Sequence, residues 1–253
     1  MFFPHVFIEE EAEPGQPVTI AGEDAHHLVR VLRLHAGDAV VVVTPAGDRW
    51  LGRLVDASSS RATVLPERRL PSSEPPLEIT LAQGLPKGAK MDEVIRHGTE
   101  VGIREFVPLL ARRSVSRPDE RAAAERLRRW QRIAREAARQ AQRAAVPAVR
   151  PLTTLAALLA GSSWDLVLMP WEEEESCGLR VVLDEAARQW GRPAAGRRVL
   201  ILIGPEGGWD PEEVAQARAA GARVVTLGPR ILRTETAGVL TAGLVLHALG
   251  DLG

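Results

Sequence analysis

The first 70 residues alternate short apolar runs with turn residues: PVTI, then Ala39 to Val43, then Trp50 to Val55, then ATVL from Ala62. Ala36-Gly37-Asp38 and Ala46-Gly47-Asp48 punctuate them, a rhythm that predicts a small β-barrel with one helical turn. Leu70 to Pro76, LPSSEPP, lacks bulky apolar residues in the manner of a linker, so the boundary falls there and predicts domains at 1–72 and 73–253. Beyond it strand and helix alternate. Strands are expected at Leu77, Arg104, Trp164, Val199 and Arg223, with helices from about Lys90, from Pro211, from Leu179 and from about Thr234. A longer helix is expected to run to about Ala145. The continuous apolar runs at Leu166, Val199 and Val224 predict an α/β domain whose mainly parallel sheet is covered by helices on both faces.

In the long helix Ala123, Leu127, Trp130, Ala134, Ala137 and Ala141 recur at helical spacing, opposite Arg128, Arg132, Arg135, Arg139 and Arg143. Such charged faces usually point to water, but few acids interleave here for i,i+4 pairing. From Arg104 to Arg150 there are thirteen arginines against five acidic residues. The formal net charge of −1 hides this patch, which suits RNA or another polyanion. All but two of the 32 basic residues are arginines, the exceptions being Lys87 and Lys90, which also read as ordinary surface charges at a helix start. The single cysteine, Cys177, excludes an internal disulfide framework, and no Cys/His cluster has zinc spacing; no metal is expected. His26 and His27 are adjacent and point different ways on a helix, which disfavours them as ligands. No membrane-spanning stretch or secretion signal is read, and a reducing cytoplasm fits best.

Two turns carry the candidate chemistry. Ile203-Gly204-Pro205-Glu206-Gly207-Gly208-Trp209 follows an apolar strand and precedes a helix with Asp210 as N-cap, Pro211 at N1 and Glu213 closing a capping box. Glutamates at 206, 212 and 213 would repel a phosphate at that helix start. Close backbone approach to an uncharged or cationic ligand fits better, although the glycines could serve only a tight turn. Leu227-Gly228-Pro229-Arg230-Ile231-Leu232-Arg233 leads into a final helix that is apolar enough to be buried and carries Gly238 and Gly243 for close packing. Arg233 and Glu235 at its start serve a site or pair with one another.

QGLPKGAKMDEVIRHGTEVGI, FVPLLARRSV, RWQRIAREAARQ, IGPEGGWDPEEV and LGPRILRTETA, with HHLVRVLRLHAGD in the first domain, together resemble the RsmE family, 16S ribosomal RNA uridine-N3 methyltransferases of the SPOUT superfamily. The resemblance implies a PUA-like barrel that helps hold RNA and an α/β domain with a trefoil knot, assembled as a homodimer. It implies S-adenosylmethionine as methyl donor, held by Met169, Pro170 and Trp171, by Ile203, Gly204, Gly207 and Gly208, and by Leu227, Gly228, Ile231, Leu232 and Arg233. The donor's sulfonium is compatible with the acids around GPEGG. The same resemblance gives Arg233 to stabilisation of the uracil imide anion and leaves the proton acceptor open between Glu235 and Glu206. RNA contacts fall on Arg30, Arg33, Lys87, Lys90, Arg113, Arg132, Arg135, Arg139 and Arg143. The chain departs from the family's EAAEQS pattern at Arg139 and Ala141, so the resemblance carries only Gln140 and Arg143 of that segment, and it has Arg112 where a glutamate is common. A noncatalytic RNA-binding or ribosome-assembly protein, and a related enzyme methylating a ribose hydroxyl or another base, are the alternatives.

Overall fold

A computed structural model describes residues 3–58, 60–161 and 163–253, in two compact units. The first comprises residues 1–74 with 138–146, the second residues 75–137 with 147–253.

In the first unit β1 (His5–Phe7) pairs in parallel with β3 (Ala39–Val43). The remaining ladders are antiparallel: β3 with β4 (Arg49–Ala57), β4 with β5 (Arg61–Leu70), and β5 with β2 (Val18–Ala21). Irregularities in the β4/β5 register curl this sheet into a half-barrel around Val6, Leu28, Val40, Val42, Leu54 and Val64. The expected helical turn is α1 (Gly22–His26), continued by a π-helical turn over His27–Val31. Strand β1 was not legible in the sequence, because three residues are too few to show alternation.

His5 is 4% exposed and its Nε2 lies 2.7 Å from the carbonyl oxygen of Arg143, which can only accept. The neutral Nε2–H tautomer therefore makes the bond. Burial lowers the His5 pKa from 6.5 to about 4, opposed by that hydrogen bond. Glu74, inside the expected linker, collects the same segment: its carboxylate accepts from the Arg143 guanidinium and from the backbone N–H groups of Ala144 at 2.8 Å and Ala145 at 3.1 Å.

The second unit is a six-stranded sheet ordered β11-β9-β10-β6-β7-β8, parallel throughout as the apolar runs predict. Its strands are β6 (Glu78–Gly84), β7 (Glu105–Leu109), β8 (Ala148–Val149), β9 (Leu166–Pro170), β10 (Arg198–Ile203) and β11 (Arg223–Val225). On one face Leu200 and Leu202 pack with Trp209, Leu155 of α4 (Leu155–Ala160) and Val214 of α6 (Pro211–Ala219). The opposite face is covered by α2 (Lys90–Val101), α5 (Leu179–Trp190) and α7 (Thr234–Leu249). Helix α4 and strand β8 were not anticipated; both are too short for a periodic signal.

Two expectations are corrected. The arginine-rich helix α3 (Glu120–Gln140) stops five residues early. Gln142 takes a left-handed φ of 55°, and the chain turns so that the Arg143 guanidinium reaches Glu74. Helix α7 is only half buried: Gly238, Thr241, Ala242, Val245 and Leu246 face the sheet and its neighbours, while Leu240 and Leu244 are about 40% exposed. Among the described residues no helix is long and apolar enough to cross a membrane.

One buried relay ties the start of α7 to the sheet. The Gln83 Nε2 donates to Thr234 Oγ1 at 2.7 Å, and that hydroxyl donates to the carbonyl of Gly204 at 2.5 Å. Gln83 has no exposed surface. At the adjacent Gly84 a Cβ would lie 2.5 Å from the backbone nitrogen of Pro205, so the strand and the turn after β10 meet at main-chain contact.

Two outcomes are expected. Thr234→Val strips the buried Gln83 amide of its shorter hydrogen bond and the Gly204 carbonyl of its donor; it should cost about 1–3 kcal/mol in urea denaturation, with Thr234→Ser close to wild type. For His5, whose folded pKa is depressed, the unfolded chain binds more protons between pH 6.5 and about 4. Stability present above pH 6.5 should therefore fall across that window by up to about 1.4 kcal/mol per pH unit more than in His5→Gln. Equal pH dependence in the two proteins would contradict this.

Candidate cofactor and catalytic site

Strands β11, β9 and β10 are neighbours and parallel, so the segments leaving their carboxyl ends emerge on one edge of the sheet, where open α/β folds bind ligands. Those segments line a cavity of about 990 Å³. Its walls are Pro170 at the end of β9 with residues 171, 172, 174 and 175, Ile203 at the end of β10 with residues 204–209, and residues 226–234 after β11, with Lys90 and Ala237. Pro170, Ile203, Gly204, Gly207, Gly208, Leu227, Gly228, Ile231, Leu232 and Arg233 all lie in this lining, as do Glu206 and Trp171. Met169 does not. It is wholly buried in the core of the sheet, because it lies within β9, which ends at Pro170.

The turn after β10 is held from both sides. Asp210 caps α6 by accepting from the Glu212 N–H at 3.1 Å, while Glu213 accepts from the Asp210 N–H at 3.2 Å, the capping box expected from sequence. The second Glu213 oxygen accepts from the Arg112 N–H at 3.0 Å. The Arg113 guanidinium donates to the Gly207 carbonyl at 3.2 Å, so this arginine, expected at RNA, also braces the turn. Gly208, at φ 70°, lies beneath the Glu172 carboxylate: a Cβ there would be 2.0 Å from Glu172 Oε1. The acidic run Glu172–Glu175, read from sequence as an exposed loop, is exposed at 172, 173 and 175 and also lines the cavity through Glu172, Glu174 and Glu175. Its position at the carboxyl end of an apolar strand was the signal available.

Arg233 is the N-cap residue of α7, contributes no side-chain cap and is exposed. Among the described residues no carboxylate pairs with its guanidinium. Glu235 pairs instead with Lys90, whose Nζ lies 3.4 Å from Glu235 Oε2 and 3.0 Å from Glu206 Oε1. Glu206 Oε1 also accepts from the Lys87 N–H at 3.0 Å. Burial acts to raise the Glu206 pKa, but backbone N–H groups and the Lys90 ammonium outweigh it and hold the carboxylate below its usual range. The hydrogen bond to Glu206, opposed by partial burial and aided by Glu235, raises the Lys90 pKa. That carboxylate is thus bound to the Lys87 N–H and the Lys90 ammonium.

The other expected RNA contacts divide. Arg30 within the π-helical turn and Arg33 just beyond it are exposed, beside the exposed Val31 and Leu32, and Lys87, Arg132 and Arg135 are exposed in the second unit. Arg139 is half buried and pairs with Asp24 at 3.4 Å. Arg143 is 3% exposed and bound to Glu74. These last two are corrected to structural roles within the first unit, since a buried, paired guanidinium cannot reach a phosphate without breaking its ion pair.

Residues 73–246 match the family described as RNA methyltransferase domain, and residues 20–67 that described as RNA methyltransferase PUA domain. The chain is 34% identical over 236 residues to ribosomal RNA small subunit methyltransferase E of Bacillus subtilis, covering 91% of each chain. It is 38% identical over 223 residues to the protein of that name from Synechocystis, covering 87% of this chain and 69% of the relative. The crystal structure of a ribosomal RNA small subunit methyltransferase E from Neisseria gonorrhoeae bound to S-adenosyl methionine superposes with a TM-score of 0.85 at 28% identity, covering all of both chains. The family model spans most of the chain and the Bacillus relative is matched over nearly its whole length, so this chain belongs to the RNA methyltransferase family that includes ribosomal RNA small subunit methyltransferase E.

Proposed function

We propose that this protein transfers a methyl group from S-adenosylmethionine to N3 of a uridine in the 16S RNA of the small ribosomal subunit. The observation that carries this reading is the cavity itself, where three turns offer main-chain groups and glycine faces beside Glu172, Glu174 and Glu175. Those residues fit the donor. Backbone at Gly204, Gly207, Gly208 and Gly228 can approach an adenosine closely, Ile203, Leu227 and Leu232 supply apolar contact, and the acids suit a cation where a phosphate would be repelled. When bound, S-adenosylmethionine supplies an electrophilic methyl group. Neutral uracil has no available lone pair at N3, so the protein must favour the imide anion, and the Arg233 guanidinium, unpaired by any described carboxylate, can stabilise charge spreading onto O2 and O4. Much of the acceleration then comes from alignment of the reacting atoms.

The exposed arginines of α3 and those at 30 and 33 give the RNA its electrostatic footing, with the first unit acting as a PUA-like RNA-holding domain. Leu240, Leu244 and Ile231, exposed along and beside α7, support a homodimer formed through that face. Close approach at Gly238, where a Cβ would sit 3.0 Å from Leu81, supports a last helix threaded through the fold as in SPOUT proteins. The site of action is the cytoplasm, where small subunits are assembled.

Transfer of labelled methyl should be faster to small subunits from cells lacking this modification than to naked 16S RNA, with nucleoside mass spectrometry reporting N3-methyluridine. Arg233→Ala should lower the rate about a hundredfold. Ribose 2′-O-methylation, or no calorimetric heat with S-adenosylmethionine, would contradict the reading.

A further inference from the structure

Lys90 is placed against the ordinary electrostatic preference of its helix. It is the first residue of α2, where the helix dipole is positive and a cation is disfavoured. Two carboxylates from segments more than a hundred positions away hold it there. Glu206 receives one N–H at 3.0 Å, and Glu235, 14% exposed, lies within ion-pairing reach at 3.4 Å without the alignment of a hydrogen bond. An ammonium has three N–H groups, and at most two are engaged by these partners. Its side chain is 34% exposed and lines the same cavity as Arg233. The other charged groups of that lining are Glu172, Glu174, Glu175 and Arg230. Glu174 is already occupied by Arg218 at 2.7 Å and by the Ser176 N–H at 2.8 Å.

We propose that Lys90 is a catalytic residue that donates its remaining N–H to a carbonyl oxygen of the target uracil, and that Glu206 and Glu235 anchor this lysine and do not accept the reacting proton. This rests on the reading of the protein as a uracil-N3 methyltransferase. In the step, the N3 proton leaves to solvent base, the N3 electron pair forms the new N–C bond, and the S–C bond of the donor breaks with its pair remaining on sulfur. Lys90 and Arg233 hold the imide charge until the new bond forms. The arrangement gives the lysine a reason to be fixed by two acids at an unfavourable helix end, which a phosphate contact would not require.

The discriminating experiment is the pH–rate profile of methyl transfer to small subunits carrying uridine or 5-fluorouridine, whose N3 is more acidic. If solvent base removes the proton, the rising limb follows the substrate and moves to lower pH with 5-fluorouridine. Lys90→Met should lower kcat about a hundredfold while S-adenosylhomocysteine affinity, measured by calorimetry, stays within about threefold. Lys90→Arg should recover most of that loss, and Glu235→Gln should lose less than tenfold with an unchanged limb. Should Lys90→Met unfold, having left two acids uncompensated, the Lys90→Met/Glu235→Gln pair gives the same comparison. A limb that ignores fluorination and disappears in Glu235→Gln would assign the proton to that carboxylate and overturn the proposal. Wild-type protein that methylates no uridine N3 at all would instead remove the reading on which it rests.

Discussion

The site depends on one buried polar contact, the hydroxyl of Thr234 shared between the amide of Gln83 and the carbonyl of Gly204. Three segments distant in sequence meet in those two hydrogen bonds: the end of a central strand, the turn after its neighbour, and the first turn of the last helix. Because the groups are excluded from water, leaving any one unpaired costs more than the bond returns when made. The residues on either side of Thr234 are Arg233 and Glu235, so fixing this threonine fixes the origin of both charged side chains. Main-chain contact at Gly84 and Pro205 closes the same junction sterically.

From that junction the electrostatics follow. The turn after β10 carries negative charge at a helix start, where the dipole favours it, and is braced by Arg112 and Arg113 from the segment after β7. The cavity thereby combines acids from the segments after β9 and β10 with Lys90, Arg230 and Arg233. Opposite charges at close quarters suit a reaction in which a cationic donor meets a nucleobase that becomes anionic. A nucleotide phosphate would find no comparable welcome. The arginine surplus elsewhere serves two ends: Arg132 and Arg135 lie on an exposed helix face, while Arg139 and Arg143 form ion pairs within the first unit.

Much of this was legible because it is local. The capping box of Asp210 and Glu213, the continuous apolar strands and the glycine turn are each specified within a few residues, and the structure reproduces them. What depended on distant partners was not. Periodicity continued α3 through Arg143, but Glu74, remote in sequence, turns the chain at Gln142. Burial of α7 was read from its composition, which cannot tell a helix covered all round from one with an exposed apolar face. Glu172 is exposed, but its place against Gly208 was not legible, and the Lys90–Glu206–Glu235 cluster joins three elements whose adjacency no spacing rule announces.

A crystal structure with S-adenosylhomocysteine bound tests the central claim most directly. The account predicts its adenosine density between residues 203–208 and 227–232, with the sulfur side open toward Arg233 and Lys90. Density for the nucleoside elsewhere on the molecule, or turns that separate so that no single small molecule touches both, would contradict it.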